Sequence, residues 1–158
     1  MKELETICKI ALIQATPVMF DKTAGLKKAL QLIDTCAAKG AKLIVFPELF
    51  IPGYPFGLTF GFRVGSRSEK GREDWKTYYD NSLLSDGPEM QEIIDRAKKY
   101  GVYLSLGYSE KDAVTGTLYN SNLMIAPDGQ ALNHRKIKPT GSERVVWGDG
   151  NQDYFPVM

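Results

Sequence analysis

The chain has 158 residues, of which 43% are hydrophobic and 25% charged, a composition that suits one domain with its own hydrophobic core. The formal net charge of +1, without a basic block, argues against nucleic acid and anionic membranes as partners, and no apolar run approaches the roughly 18 residues of a membrane span. The N-terminus carries acidic residues and lacks an apolar segment, so no secretory signal is expected and the cytoplasm is the predicted location.

The two cysteines, Cys8 and Cys36, fall in a predicted strand and a predicted helix. We expect both to be buried, unpaired thiols, as is typical of a reducing compartment. Because the chain has one histidine and two cysteines, a zinc site built from these ligands is not expected. The sequence predicts no metal and no cofactor.

The first elements predict a βαβ unit. Residues 6–15 are rich in β-formers and nearly continuously apolar, which is typical of an interior strand covered on both faces. Apolar residues at spacings of three and four through 26–37 then predict a helix, capped by Asp21 or Thr23. The apolar run 43–46 predicts a second strand, parallel to the first.

The end of this second strand carries a single carboxylate. Pro47 has no N–H to give to a sheet, so the strand should end there, and Glu48 follows at once. Glu48 then lies at the carboxyl end of a central strand, where open α/β sheets bind their ligands. The stretch alone leaves two interpretations open: a functional carboxylate, or a loop residue that is solvated or bonded to nearby backbone.

A long, less regular connection follows at 51–86, aromatic in composition and charged at 63–74. A connection of this length is often a lid or a binding loop, and it can equally be a surface excursion whose aromatic residues form a small second core. Both interpretations remain open. A short helix is predicted at 75–79.

The remaining elements extend the sheet. The pattern predicts a helix that opens at Asp86 and closes at Gly101, then a strand at 102–108. Strands at 117–126 and 130–134, joined by Pro-Asp-Gly, predict an antiparallel hairpin. The sheet should therefore begin as βαβαβ and end with an antiparallel addition.

A charged stretch, NHRKIKPTGSERVVWGDG at 133–150, follows the hairpin. On residue types alone, a solvated strand end and loop is the favoured interpretation. This interpretation changes when the stretch is considered together with FPELFIPGYP at 46–55.

These two motifs resemble the carbon–nitrogen hydrolase superfamily, and specifically its nitrilase branch. Their spacing and the order of elements are also those of the family, and the resemblance covers essentially the whole chain. The most specific part is the Arg-Lys-x-x-Pro-Thr-x-x-Glu-Arg pattern with its following Trp-Gly. The resemblance implies an α/β fold: the N-terminal half of a four-layer α-β-β-α sandwich, with a mixed sheet and flanking helices.

When the family's functional residues are matched to these motifs, the resemblance implies roles for five residues. Glu48 would be the general base, Lys136 would stabilise the tetrahedral intermediate, and Glu143 would orient Lys136 and the substrate. Tyr54 and Trp147 are the expected substrate-binding residues. We expect Glu48 and Lys136 to meet in one dry cleft, where paired carboxylates keep the lysine charged.

The nucleophile of the family is a cysteine in a Cys-Trp-Glu motif after the next strand, which the resemblance places beyond residue 158. Cys8 and Cys36 do not match that motif. The expectation is that residues 1–158 form a carbon–nitrogen hydrolase domain truncated before its nucleophile and inactive by itself.

The implied reaction converts a small-molecule nitrile to a carboxylic acid and ammonia through a cysteine thioimidate. Three alternatives remain: an amidase of the same superfamily, a non-catalytic module that pairs with a full-length homologue, and a glycosidase that uses Glu48 and Glu143 as paired carboxylates. The resemblance also implies a homo-oligomer or association with a complementary C-terminal segment. The sheet edge that the half-fold leaves exposed would favour aggregation unless something pairs with it.

Overall fold

Five strands form one mixed sheet in the computed structural model, which describes residues 8–66, 68–151 and 155–158. The strands lie in the sheet in the same order as in the chain. The elements are β1 (Ile10–Leu12), α1 (Lys22–Ala38), β2 (Leu43–Val45), α2 (Glu69–Asp80), α3 (Pro88–Tyr100), β3 (Tyr103–Lys111), β4 (Leu118–Ile125), β5 (Ala131–Arg135) and a short 3₁₀-helix (Gly141–Val145). The N-terminal residues 1–7, for which no secretory signal was predicted, lie outside the described part.

The topology confirms the predicted α/β class with a mixed sheet. Strand β2 pairs in parallel with β1 and β3, whereas β4 pairs antiparallel with both β3 and β5. Helices α1 and α3 contact each other and cover one face of the sheet. The largest residues of this core are fully buried: Ile33, Ile44, Phe50, Met90, Ile93, Leu104, Leu106 and Tyr108.

Local sequence signals explain where the two covering helices begin and end. The Asp21 carboxylate accepts a hydrogen bond from the N–H of Ala24 at 2.9 Å, so Asp21, and not Thr23, caps α1. Pro88 opens α3, where its missing N–H is not needed, and Gly101 ends it in the left-handed conformation at φ 61°. Among the described residues, no helix has the length and apolar character needed to cross a membrane.

The prediction that the first strand is an interior strand is wrong for the described chain. Strand β1 has three residues and pairs only with β2, which leaves it at the edge of the sheet. Ile10 is 52% exposed and Leu12 more so. An apolar run indicates that a strand is suited to burial, but it does not say what covers the strand.

The cysteine prediction is partly wrong. Both thiols are free, as expected, but Cys8 is exposed and Cys36 is only half-buried. Because β1 begins at Ile10, Cys8 precedes the strand in which it was predicted to lie.

The connection between β2 and α3 contains a helix longer than the predicted 75–79, since α2 begins after its cap Ser68 and runs to Asp80. Most of its aromatic residues form a second core. Its members are the buried Leu49, Tyr78, Leu118 and Trp147, with Phe20, Tyr54, Phe60, Trp75, Tyr79 and Val146 packed against them. This is the small second core that the sequence left open, although Phe56 and Phe62 remain exposed.

Candidate active site

Glu48 lies in a tight backbone turn beside β3. The N–H of Phe46 donates to the carbonyl of Ser105, and the N–H of Phe50 donates to the carbonyl of Gly107, both at 2.8 Å. Between these two anchors, Leu49 adopts a left-handed φ of 50°. Glu48 is therefore presented on the sheet face opposite to α1 and α3 by a segment fixed at both ends.

Gly107 allows the close approach of this turn to β3. A Cβ at position 107 would lie 2.4 Å from the carbonyl oxygen of Pro47 and 2.7 Å from the Cα of Glu48. Both are backbone atoms, so no side-chain rotation could relieve the clash. Glycine at 107 is needed for the position of Glu48.

We expect Gly107→Ala to displace the Pro47–Glu48 backbone and to lower the free energy of unfolding by about 1–3 kcal/mol, as overpacking does. Urea unfolding followed by circular dichroism measures this change. Gly25→Ala is the matched control, because its Cβ would meet the Ile51 side chain at an ordinary 3.6 Å and alanine favours a helix. Equal midpoints for the two variants would contradict the prediction.

Lys136 reaches the same place from the hairpin. Directly after β5, its N–H donates to the carbonyl of Asn120 at 2.7 Å, which extends the pairing with β4 by one residue. Its Nζ lies 2.9 Å from Glu48 Oε1, and 2.9 Å and 3.2 Å from Glu143 Oε2 and Oε1. One ammonium group therefore joins two carboxylates that are far apart in the sequence.

Glu143 is the most buried of the three charged groups. It lies in the 3₁₀-helix, where its carboxylate accepts the N–H of Thr140 at 2.7 Å in a capping box. Its Oε1 also accepts the hydroxyl of Tyr54 at 2.8 Å. With an 8% exposed side chain, Glu143 is held by the backbone, by Tyr54 and by Lys136.

These contacts keep the pair charged. Burial alone would lower the pKa of Lys136, but the hydrogen bonds to Glu143 and Glu48 outweigh it and leave that pKa raised. Burial likewise opposes ionisation of Glu143, yet the donors Lys136, Thr140 and Tyr54 leave its pKa lowered. Around neutral pH the site therefore holds an ammonium and an ionised carboxylate.

The structure places the two predicted substrate-binding residues side by side. The rings of Tyr54 and Trp147 lie 6.0 Å apart, and they help to line a cavity of about 230 Å³ next to Glu143. The Tyr54 hydroxyl is bound to Glu143, while Trp147 is buried and donates its Nε1–H to Ser109 Oγ at 3.1 Å. Both residues support the charged group, and their contact with a substrate stays a prediction.

Glu48 and Lys136 meet as expected, but the expectation of a dry cleft is wrong for the described chain. The Glu48 side chain is 48% exposed and that of Lys136 is 30% exposed. A cavity of about 530 Å³ lies beside them on the open face of the sheet. Beside Glu48 the face is open, whereas at Leu118 and Ser109 the second core, with Tyr78 of α2 and Trp147, packs on it.

Sequence reasoning missed Asn120, whose Nδ2 donates to Glu48 Oε1 at 2.7 Å. It also missed a second polar cluster on the helix-covered side, where Arg135 Nε donates to the buried Glu110 at 3.0 Å and Arg135 Nη2 contacts Asp112 at 3.0 Å. The pKa of Asp112 is lowered, first by the hydrogen bond from the backbone N–H of Thr115 and then by the hydrogen bond from Arg135. Strand alternation is the signal that could have separated Arg135 from Lys136.

Neither cysteine lies at the site. Lys42 at the start of β2 donates its N–H to the carbonyl of Lys9 at 2.8 Å, and that of Ala41 donates to the carbonyl of Cys36 at 3.1 Å. Both thiols are therefore at the end of the sheet where the parallel strands begin, whereas Glu48 follows the opposite end. Within the described ranges, no group of three or more His, Cys, Asp and Glu side chains could hold a metal ion.

Residues 9–158 match the family model described as Carbon-nitrogen hydrolase. The chain belongs to the carbon–nitrogen hydrolase family. The chain is 42% identical to Nitrilase 2 of Arabidopsis thaliana over 153 residues, which are 96% of the chain and 44% of that protein. It is 41% identical to the Aliphatic nitrilase of Sinorhizobium fredii over 90% of the chain and 46% of the relative. It thus spans less than half the length of these curated relatives.

Solved structures show the same fold for this member of the family. Nit3 of Saccharomyces cerevisiae, described as a member of the nitrilase superfamily, matches with a TM-score of 0.68 and 24% identity, over 93% of this chain and 50% of that one. An amidase from Nesterenkonia matches with a TM-score of 0.62 and 19% identity, over 92% and 49%. The family resemblance predicted from residues 46–55 and 134–150 is confirmed, and these two segments are the ones that meet at Glu48 and Lys136.

Proposed function

We propose that this chain supplies the charged half of the active site of a nitrilase, which converts a nitrile to a carboxylic acid and ammonia. The observation that carries the proposal is the Lys136 ammonium held between Glu48 and Glu143, at 2.9 Å from each, beside an open cavity. Relatives at 41–42% identity that are named nitrilases favour a nitrile over an amide.

In this proposal Glu48 is the general base. A nitrile carbon is a weak electrophile, so a thiol is the suitable nucleophile. As the sulfur–carbon bond forms and one π bond of the nitrile breaks, Glu48 accepts the thiol proton and passes it to the nitrogen. The product of this step is a neutral thioimidate, and Glu48 is again ionised.

Lys136 stabilises the negative charge that develops on the substrate nitrogen during this addition. A fixed ammonium does this well because it needs no reorganisation as the charge appears. The backbone bond from Lys136 to Asn120 and the side-chain bonds to Glu143 hold it in place. Glu143 and Tyr54 act through Lys136, as positioning residues.

Two water molecules complete the reaction. The first adds to the thioimidate with Glu48 as base, and the carbon–nitrogen bond then breaks to release ammonia and leave a thioester. The second hydrolyses the thioester to the carboxylic acid and returns the thiol. In sum, one nitrile and two waters give one carboxylic acid and one ammonia.

The thiol itself comes, in this proposal, from a segment that follows the family pattern beyond residue 158. Cys8 and Cys36 are remote from Glu48, so neither is the nucleophile. The exposed edge strand β1, with Ile10 and Leu12 uncovered, provides a surface on which a complementary segment or a second copy could pair. We include such association in the proposal.

The test is a fusion of this chain to the part of Arabidopsis Nitrilase 2 that follows the matched region. We expect the fusion, but not the 158-residue chain alone, to release ammonia from aliphatic, aromatic or arylaceto-nitriles. Ammonia and acid are measured together, to distinguish hydrolysis from hydration to the amide.

The control fusion carries Cys8→Ala and Cys36→Ala and should keep the same rate. Loss of activity in this double variant would return the nucleophile to the present chain and refute the assignment. Faster turnover of amides than of the matching nitriles would assign the site to an amidase instead. A folded fusion that releases no ammonia from any of these substrates would end the proposal.

A further inference from the structure

Among the described residues, Asn120 is the one uncharged side chain that donates a hydrogen bond to Glu48. It lies on β4, only 5% exposed, and its Nδ2 donates to Glu48 Oε1 at 2.7 Å. Its backbone carbonyl accepts the N–H of Lys136 at 2.7 Å. One residue in the middle of a regular strand therefore fixes the carboxylate of Glu48 and the backbone of Lys136 relative to each other.

The two donors to Glu48 meet at the same oxygen. Lys136 Nζ and Asn120 Nδ2 both donate to Oε1, at 2.9 Å and 2.7 Å. Among the described residues, none donates a hydrogen bond to Oε2. The two oxygens of this carboxylate are therefore chemically distinct, because one is occupied by two donors and the other is available to take a proton.

We propose that Asn120 is a positioning residue that holds Glu48 by Oε1, so that Oε2 is the atom that accepts the proton. This inference rests on the function proposed above for its chemical meaning. The contact itself and its geometry do not depend on that function.

An amide suits this task better than a second cation. The Nδ2–H group donates strongly to a carboxylate but adds no charge, so it orients Glu48 without competing with Lys136 for the role of counterion. Asn120 is placed by the β3–β4–β5 ladder, where it lies opposite Ser109, so its side chain is fixed by the sheet and not by a loop. A base that must move a proton over hydrogen-bond distance gains from such rigid support.

The contact is tested first in the 158-residue chain, by two-dimensional NMR of the side-chain amide groups of asparagine. We expect Glu48→Gln to move the Asn120 amide resonances clearly and to leave those of Asn122 unchanged. Asn122 is the internal control because it lies two residues along the same strand and face, and its amide donates to Ser105 Oγ at 3.0 Å. An Asn120 amide that does not respond to Glu48→Gln would overturn the inference.

The role is tested in the fusion with Asn120→Ala and Asn120→Asp, and with Gln91→Glu, on the exposed side of α3, as the control for an amide-to-acid change. We expect the Asn120 variants to lower kcat by about 10–100-fold with KM changed by less than about threefold, since each variant loses a hydrogen bond to a charged acceptor. The loss should be confined to kcat, because Asn120 orients the base and is not proposed to bind the substrate.

Each outcome decides the inference. Wild-type kcat in Asn120→Ala would overturn it, as would an equal loss of kcat in Gln91→Glu. If the fusion with the natural Asn120 is inactive, the proposed function fails, while the NMR experiment still decides whether Asn120 holds Glu48. A variant in which KM rises as much as kcat falls would show a general structural effect and would also overturn it.

Discussion

Lys136→Met in the nitrile-hydrolysing fusion is expected to lower kcat by about 10²–10³-fold, the loss typical when a preorganised charge-stabilising donor is removed. Methionine keeps most of the length and apolar stem of lysine but not its charge. The variant removes the contacts at 2.9 Å to both Glu48 and Glu143, and two carboxylates then face each other without a counterion. Because the ammonium acts on charge that develops during the reaction, KM should change much less than kcat.

Lys138→Met is the matched control, since Lys138 lies two residues along the same segment and pairs with Asp149 with its side chain about half exposed. We expect its kcat to stay within about threefold of the unmodified fusion, because surface ion pairs contribute little. Initial rates of ammonia release, measured over a range of nitrile concentrations, give kcat and KM. Comparable losses in the two variants would show a general effect of charge, and would refute a specific role for Lys136.

The same variant has a consequence for stability that depends on pH. The pKa of Glu143 is lowered by folding, so its contribution is present above its ordinary value of 4.5 and is lost as pH falls through the lowered value. The pKa of Lys136 is raised, so its contribution is present below 10.5 and is lost as pH rises through the raised value. The difference in unfolding free energy between the natural chain and Lys136→Met should therefore be largest between these limits. Urea unfolding at several pH values measures it, and a difference that is flat through both limits would contradict it.

The position of Glu48 could be predicted from local rules, whereas its partners could not. A four-residue apolar run, a proline without an N–H and an acid directly after it are enough to place a carboxylate at a strand end. Lys136 and Glu143 belong to another segment, and only the family resemblance connected the two. The contact of Asn120 with Glu48 could not be predicted, because an asparagine is an ordinary residue for a polar position on a half-covered strand. No local pattern indicates what its side chain contacts.

Two misjudged features have a common physical cause. Strand β1 was predicted to be interior from its apolar residues, and the Glu48 cleft was predicted to be dry from the chemistry that a buried lysine suits. In each case the predicted burial depended on a second layer of the structure packing over that surface. A local sequence pattern shows that a surface is suited to burial, but it does not show which part of the protein covers it. Both places are exposed in the described chain, where Ile10 and Glu48 are each about half exposed.

Arg135 and Lys136 show how alternation divides a charged run. On a strand, successive side chains point to opposite faces, so neighbours in the sequence serve different sites. Lys136 faces Glu48, while Arg135 faces the other side and lies over the Tyr119 ring, with its guanidinium carbon 3.9 Å from the ring centre. There it donates to Glu110, and this contact raises its pKa further above an already high value.

Glu110→Gln is expected to lower the free energy of unfolding of the 158-residue chain by about 3 kcal/mol or more, the cost of breaking a buried ion pair on one side. The Glu110 side chain is 1% exposed and accepts hydrogen bonds from Arg135, Ser121 and Asn133. Glutamine has the same shape but is uncharged, and its NH₂ group would face donors where an acceptor is needed. The guanidinium of Arg135, kept in place by Tyr119, would remain partly buried without its main counterion.

Asp112→Asn separates this effect from a general loss of negative charge. Asp112 also pairs with Arg135, but it is more exposed, and an asparagine there keeps an oxygen for the N–H groups of Val114 and Thr115. We therefore expect Asp112→Asn to decrease the urea midpoint much less than Glu110→Gln does, although each variant removes one negatively charged partner of Arg135. Equal midpoints would mean that the number of charges, and not the burial of Glu110 among donors, stabilises this side of the sheet. The larger loss in Glu110→Gln would show that the hairpin is anchored by Arg135 on one face, which in turn fixes the strand that presents Lys136 on the other.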